Sequence, residues 1–177
     1  MTQPKLTDIY KDKRLWLVLD NIRSVYNVGA MFRTADGTGM TGLVLVGITP
    51  TPANNPNKIQ KTALGAQDHI PWVYFQSVED FLSELERVQD VTRKPEHGAE
   101  LVALELTSRA VDIFTYDINK KKTYFLVVGN ELLGVSAQVL VHADTHVYIP
   151  MHGFKESLNV AESASIAMYE FYRKFTY

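Results

Sequence analysis

The stretch LWLVLDN (15–21) has no polar side chain before Asp20, and GLVLVG (42–47) has none at all. In a strand with one wet face, apolar and polar residues alternate, because successive side chains point to opposite sides of the sheet. A run that is apolar throughout must be covered on both faces, and helices packed on a parallel sheet do this. Four further short runs fit the same role: IPWVYF (70–75), LVALEL (101–106), TYFLVVG (123–129) and THVYIPM (145–151). They predict six strands.

Helical segments fall between these runs. In NVGAMFRTADGTG, Asn27 is a good N-cap, Val28, Met31, Phe32 and Ala35 share one face, and Gly37 and Gly39 end the helix. ITPTPANNPNKIQKTALGAQ reads as loop with a short helix. Ser77 heads VEDFLSELERV, whose Phe81, Leu82, Leu85 and Val88 form a stripe. TRKPEHGAE (92–100) reads as a surface loop and Ser136 as a further cap. Near the end, Ser157 is placed to cap a helix with two apolar rows: Val160, Ala164, Ala167 and Phe171, and Ala161, Ser165, Met168 and Tyr172. Its small residues let neighbouring chain approach closely. The expected architecture is one α/β domain over residues 1–177, a mostly parallel sheet with helices on both faces.

The composition excludes several functions. With no cysteine among 177 residues, disulfides, thiolate metal sites and Cys nucleophiles are ruled out. No apolar run approaches a membrane span, and the polar start MTQPKLTDIYKDKR has no signal-peptide core. A cytoplasmic setting is expected. The net charge of −2 argues against a broad phosphate-coating surface but permits a local basic cleft.

Two motif matches fail on context. GTGMTG fits the dinucleotide pattern G-x-G-x-x-G, but it closes a helix and enters a strand, whereas phosphate binding needs the reverse order. His142 and His146 are four apart without companion ligands, so no metal is expected. There is no G-x-S-x-G elbow.

In parallel sheets ligands bind beyond the carboxyl ends of the strands. Three segments place polar residues there: 21–33, 129–136 and 150–159. The first holds Asn27 and Arg33, with Arg33 off the apolar stripe. A guanidinium keeps its proton, so it suits phosphate binding and oxyanion stabilisation better than acting as a base. The second holds Gly129, where a ligand can approach the backbone, and Glu131. The third brings Ser157 to a helix mouth. Each has a plainer structural reading as a surface arginine, a loop carboxylate or a simple cap.

Taken in order, these segments resemble the SpoU/TrmH family of RNA ribose methyltransferases, part of the SPOUT class. The resemblance lies in Asn27, Gly29 and Arg33-Thr34-Ala35; in Gly129, Glu131 and Gly134; and in Ile149-Pro150-Met151 with Ser157-Leu158-Asn159-Val160. It implies a deep C-terminal trefoil knot, a homodimer with sites near its interface, and S-adenosylmethionine as cofactor. It further implies transfer of a methyl group to a ribose 2'-OH of RNA, without metal. The absence of an RNA-binding extension favours tRNA over rRNA. Cofactor contacts are implied at Leu104, Gly129, Ile149, Met151, Ser157 and Leu158, and catalytic roles at Asn27, Arg33, Glu131, Ser157 and Asn159. Arg33 is expected to stabilise charge at the 2'-oxygen and contact phosphate. Arg14, Arg23, Lys58, Lys61, Arg109 and Lys155 are candidate phosphate contacts. The alternatives are a SPOUT enzyme acting on a base nitrogen and a non-catalytic RNA-binding or assembly protein on the same fold.

Overall fold

The computed structural model of the chain describes residues 6, 15–92 and 98–177. Seven strands form one sheet: β1 (Leu15–Asp20), β2 (Gly42–Val46), β3 (Trp72–Phe75), β4 (Ala99–Leu104), β5 (Val111–Asp112), β6 (Thr123–Val128) and β7 (Thr145–Tyr148). Their order is β3-β2-β1-β6-β4-β7-β5, and every pairing is parallel. Among the described residues the α-helices are α1 (Val25–Gly37), α2 (Pro56–Ala63), α3 (Val78–Thr92), α4 (Ala137–His142) and α5 (Val160–Thr176), with a short 3-10 turn at Ala66–Asp68.

The doubly apolar strands divide their side chains between two cores. Leu15, Leu17, Leu19, Leu43, Leu45, Leu126 and Val128 point to one side, where α1, α2 and α5 cover them. Trp16, Val18, Val44, Val46, Phe125 and Val127 point to the other, under α3 and α4. Each such side chain, fully removed from water, contributes about 1.5–3 kcal/mol. Trp16 stacks on Phe125 with ring centroids 6.1 Å apart.

Close helix contacts depend on small residues. A Cβ on Gly29 of α1 would lie 2.5 Å from the Ile59 carbonyl oxygen of α2, so only glycine lets these helices meet. Helix α5 crosses α1 at Thr34 and Ser165, whose hydroxyls are 2.9 Å apart. Ala161, Ala164, Ala167, Met168 and Phe171 of α5 are buried, and Phe171 meets Tyr124 edge-on at 5.5 Å. The two expected apolar rows thus merge into one broad stripe, and Tyr172 and Tyr169 stand outside it.

Several sequence expectations shift. Five of the six strands end one to three residues earlier than the apolar runs suggest, and the third begins two residues later. The backbone turns immediately after pairing ends, at Asn21 (φ 56°) and Gly47 (φ 64°). The two-residue β5 was not expected, and β4 begins at Ala99, inside the expected loop at 92–100. Residues 93–97 of that loop, and Arg14, lie outside the described residues. Helix α1 is capped by Ser24 rather than Asn27: the Ser24 hydroxyl accepts from the Asn27 N–H at 3.3 Å. Helix α5 is capped by Asn159 rather than Ser157. Ser136 holds the cap position of α4, but its hydroxyl makes no capping bond. GTGMTG behaves as read, closing α1 and opening β2, with Gly39 at φ 62°.

Candidate active site

Because the sheet is parallel, the carboxyl ends of β4, β6 and β7 emerge side by side. They open into a cavity of about 640 Å³. Its walls are Leu104, Glu105 and Leu106 after β4; Gly129 to Leu132 and Gly134 after β6; Tyr148, Ile149 and Met151 after β7; and residues 155–160 leading into α5, with Ser163.

The wall after β6 is a closed turn. Asn130 and Gly134 exchange backbone hydrogen bonds of 3.0 and 2.9 Å. The Asn130 side chain accepts from the N–H groups of Leu132 and Leu133 and donates to the Asn21 carbonyl at 2.7 Å. Gly134 adopts φ 71°, and a side chain on Gly129 would run into the backbone of Gly134 and Val135. Glu105 braces the turn from β4, accepting from the Val135 and Leu106 N–H groups, each at 3.0 Å.

Glu131 joins this turn to α1. One carboxylate oxygen accepts from the Arg23 N–H at 2.9 Å; the other accepts from the Ser24 N–H at 2.9 Å and the Asn27 side-chain amide at 3.0 Å. Partial burial raises the Glu131 pKa, but the Arg23 and Ser24 N–H groups stabilise the anion more, leaving it below the ordinary carboxylate value. The Asn27 amide oxygen in turn accepts from Asn159 at 3.3 Å, and Asn159 caps α5 by accepting from the Ala161 N–H at 2.8 Å. Three polar side chains from three distant segments thus form one chain, Glu131–Asn27–Asn159.

All six residues expected at a cofactor site line the cavity: Leu104, Gly129, Ile149, Met151, Ser157 and Leu158. So do Glu131, Ser157 and Asn159. Asn27 is outside the lining but bonded to two residues in it. Arg33 is exposed and outside the lining. Six residues along the helix from Asn27, it points about 120° away from it.

Sequence reasoning missed Glu105, Asn130, Tyr148 and Ser163. Glu105 carries the signal that singled out Glu131, a carboxylate at the end of a buried strand. Of the basic residues, Arg23, Lys58, Lys61 and Lys155 are exposed. Arg109 is committed elsewhere: it donates to the carbonyls of Leu140 (2.8 Å) and Ala143 (3.3 Å) and abuts His146. Among the described residues no three His, Asp or Glu side chains are grouped to hold a metal ion. No described helix is long and apolar enough to cross a membrane.

A parallel α/β sheet with a cavity of about 640 Å³ at its carboxyl edge, walled by the turns after β6 and β7, defines a class of domain that binds a small ligand beyond its strand ends. Residues 14–169 match the model of the SpoU rRNA Methylase family, and the chain belongs to that family. It is 32% identical over 153 residues to the 23S rRNA (guanosine(2553)-2'-O)-methyltransferase RlmP of Bacillus subtilis, covering 86% of this chain and 56% of that protein. It is 30% identical over 164 residues to the tRNA (guanosine(18)-2'-O)-methyltransferase of Aquifex aeolicus, covering 93% and 71%. The crystal structure of the SpoU methyltransferase AviRb from Streptomyces viridochromogenes in complex with the cofactor AdoMet superposes with a TM-score of 0.84 at 26% identity, over 98% of this chain and 66% of that one. The chain therefore spans just over half to about seven-tenths of the length of these relatives.

Proposed function

We propose that this protein is an S-adenosylmethionine-dependent RNA methyltransferase acting on a ribose 2'-OH. The observation that carries the reading is the convergence of all six expected cofactor residues on one cavity, beside the Glu131–Asn27–Asn159 chain. The relatives named as 2'-O-methyltransferases of tRNA and rRNA support it, and the AdoMet complex of AviRb supports the cofactor.

The cavity residues suit that cofactor. Leu104, Val128, Ile149 and Met151 offer an apolar surface for a flat heteroaromatic ring, the turns at 129–134 and 149–159 offer backbone groups, and Glu105 and Glu156 suit a cation. The cofactor supplies a sulfonium methyl group, so the reaction breaks S–CH3, forms O–CH3 and releases the hydroxyl proton. A hydroxyl is a weak nucleophile, and the developing oxyanion needs a positive neighbour. Arg33 fills that role and contacts the adjacent phosphate. Asn27, Glu131 and Asn159 orient the ribose, and Ser157 fixes the loop beside the cofactor. Holding methyl and oxygen in line supplies much of the rate.

Three further elements belong to the same reading. The C-terminal segment forms a deep trefoil knot, a reading supported by the 129–134 turn and the 149–159 loop lining one cavity and by the contact of α5 with α1 at Ser165 and Thr34. The protein works as a homodimer, supported by the exposed Tyr26, Tyr169 and Tyr172 on α1 and α5; Arg33, on the outer side of α1, joins the site at that interface. The enzyme is cytoplasmic, and tRNA is its favoured substrate.

The test is incubation with methyl-labelled S-adenosylmethionine and total RNA, followed by mass-spectrometric mapping. Ribose methylation blocks alkaline cleavage at the modified nucleotide. Labelling of a base nitrogen, or binding of RNA without transfer, would overturn the reading. Arg33→Ala should abolish transfer while leaving calorimetric cofactor binding nearly intact; full activity would remove Arg33 from the site.

A further inference from the structure

The cavity ends at a rim that the chemistry above does not use. Phe154 is 96% exposed, the most exposed of the chain's large apolar side chains among the described residues. Its neighbours Gly153 and Lys155 line the cavity, whereas the Phe154 ring does not. The ring therefore stands on the outer lip of the wall that leads into α5. The Lys155 ammonium sits 5.8 Å from the ring centroid, so a cation and a bare aromatic face are offered together. Glu156, next in the chain, is part of the cavity lining. A solvated phenylalanine beside a lysine is the composition of a single-stranded nucleic-acid platform: the ring stacks a base and the ammonium meets the phosphate.

We propose that Phe154 and Lys155 form a stacking step for an unpaired nucleobase flanking the ribose that enters the cavity. The step makes Phe154 a determinant of RNA engagement rather than of cofactor binding or methyl transfer. Recognition is by the face of the base and is tolerant of sequence, since every base has such a face. The target nucleotide then lies in a loop or splayed segment, because a base inside a duplex is already stacked on both sides. This inference rests on the RNA-methyltransferase reading and adds the residue that seats the strand.

The test uses full-length protein and two fluorescent 12-residue probes, oligoriboadenylate and the same backbone without bases, followed by anisotropy at fixed salt. Phe154→Ala should weaken binding of oligoriboadenylate at least about fivefold, the low end of what one stacked base contributes. Phe154→Trp should restore it, and binding of the abasic probe should not change. Lys155→Gln should weaken both probes. Calorimetric affinity for S-adenosylmethionine should be the same in both Phe154 variants, whose ring lies outside the cavity lining, which confirms that the cavity is folded. Unchanged binding of oligoriboadenylate by Phe154→Ala overturns the proposal, as does equal loss on the abasic probe. A shift of the monomer–dimer equilibrium in Phe154→Ala also overturns it, since the ring would then be covered by a second copy. If wild-type protein methylates total RNA and Phe154→Ala is normal, only this inference fails; if wild type binds neither RNA nor cofactor, the functional reading fails with it.

Discussion

Replacing Glu131 with glutamine keeps the side chain's shape and removes its charge. In the native site the carboxylate accepts three hydrogen bonds, from the Arg23 and Ser24 N–H groups and from Asn27. Glutamine offers one acceptor oxygen and turns an NH2 toward a backbone N–H, so one bond is lost and two donors face each other. A bond to a charged acceptor is worth about 1.5–3 kcal/mol when shielded from water. Glu131 is exposed, and solvent screening reduces this to about 1–2 kcal/mol. The favourable placement of an anion before α1 is lost as well, within the same figure. For a chain of this size the thermal midpoint should fall by about 2–8 °C. Differential scanning calorimetry measures the fall directly. A double-mutant cycle with Asn27→Ala isolates the link to the polar chain: the pair should couple by at least about 0.5 kcal/mol. In the transfer assay kcat should drop well beyond the effect on cofactor affinity, because Asn27 would no longer be held against Asn159. A midpoint within about 0.5 °C of wild type, or strict additivity with Asn27→Ala, would refute the view that Glu131 ties the turn after β6 to α1.

Gly29→Ala should destabilise the fold by about 1–2 kcal/mol, because a methyl 2.5 Å from the Ile59 carbonyl oxygen forces α2 away from α1 and outweighs alanine's helix preference of about 1 kcal/mol; a raised thermal midpoint would show that α2 lifts at no cost. Acid should weaken the fold through Glu131 and Glu170. The Arg173 side chain lowers the Glu170 pKa, with Lys174 adding to it against burial. Because both folded-state values lie below the ordinary 4.5, their contribution is present above about that pH and lost as pH falls through the lower folded values. Wild type should therefore lose midpoint below pH 4.5 more steeply than Glu131→Gln; parallel curves would contradict the assigned shift.

The sequence's reach shows at particular residues. Val18, Leu45 and Phe125 were legible as doubly buried strand residues because being apolar on both faces of a strand leaves only one solution, a sheet with two covers. Val111–Asp112 was not legible, since two residues carry no period. Asn27 and Ser24 are both good caps by chemistry. Ser24 was selected because Glu131, over one hundred residues away, holds the Arg23 and Ser24 N–H groups and fixes where the chain turns. Likewise Ser157 and Asn159 compete for one helix start, and Asn159 caps it while its amide donates to Asn27.

By itself, then, the chain determined its layers, its buried strands and the three polar segments beyond their ends, because those follow from local periodicity and from the need to cover apolar runs. Its motif glycines could be named from resemblance, but their reasons are tertiary: Gly29 is small because α2 lies on it, and Gly129 because the turn at Gly134 and Val135 folds back on it. The tertiary structure alone decided that Glu131, Asn27 and Asn159 form one hydrogen-bonded chain, that Arg33 lies outside the cavity lining, and that Phe154 stands bare at its mouth. These are meetings between segments more than one hundred residues apart, or between a side chain and solvent. No local pattern encodes them, because each depends on where the whole chain has already folded.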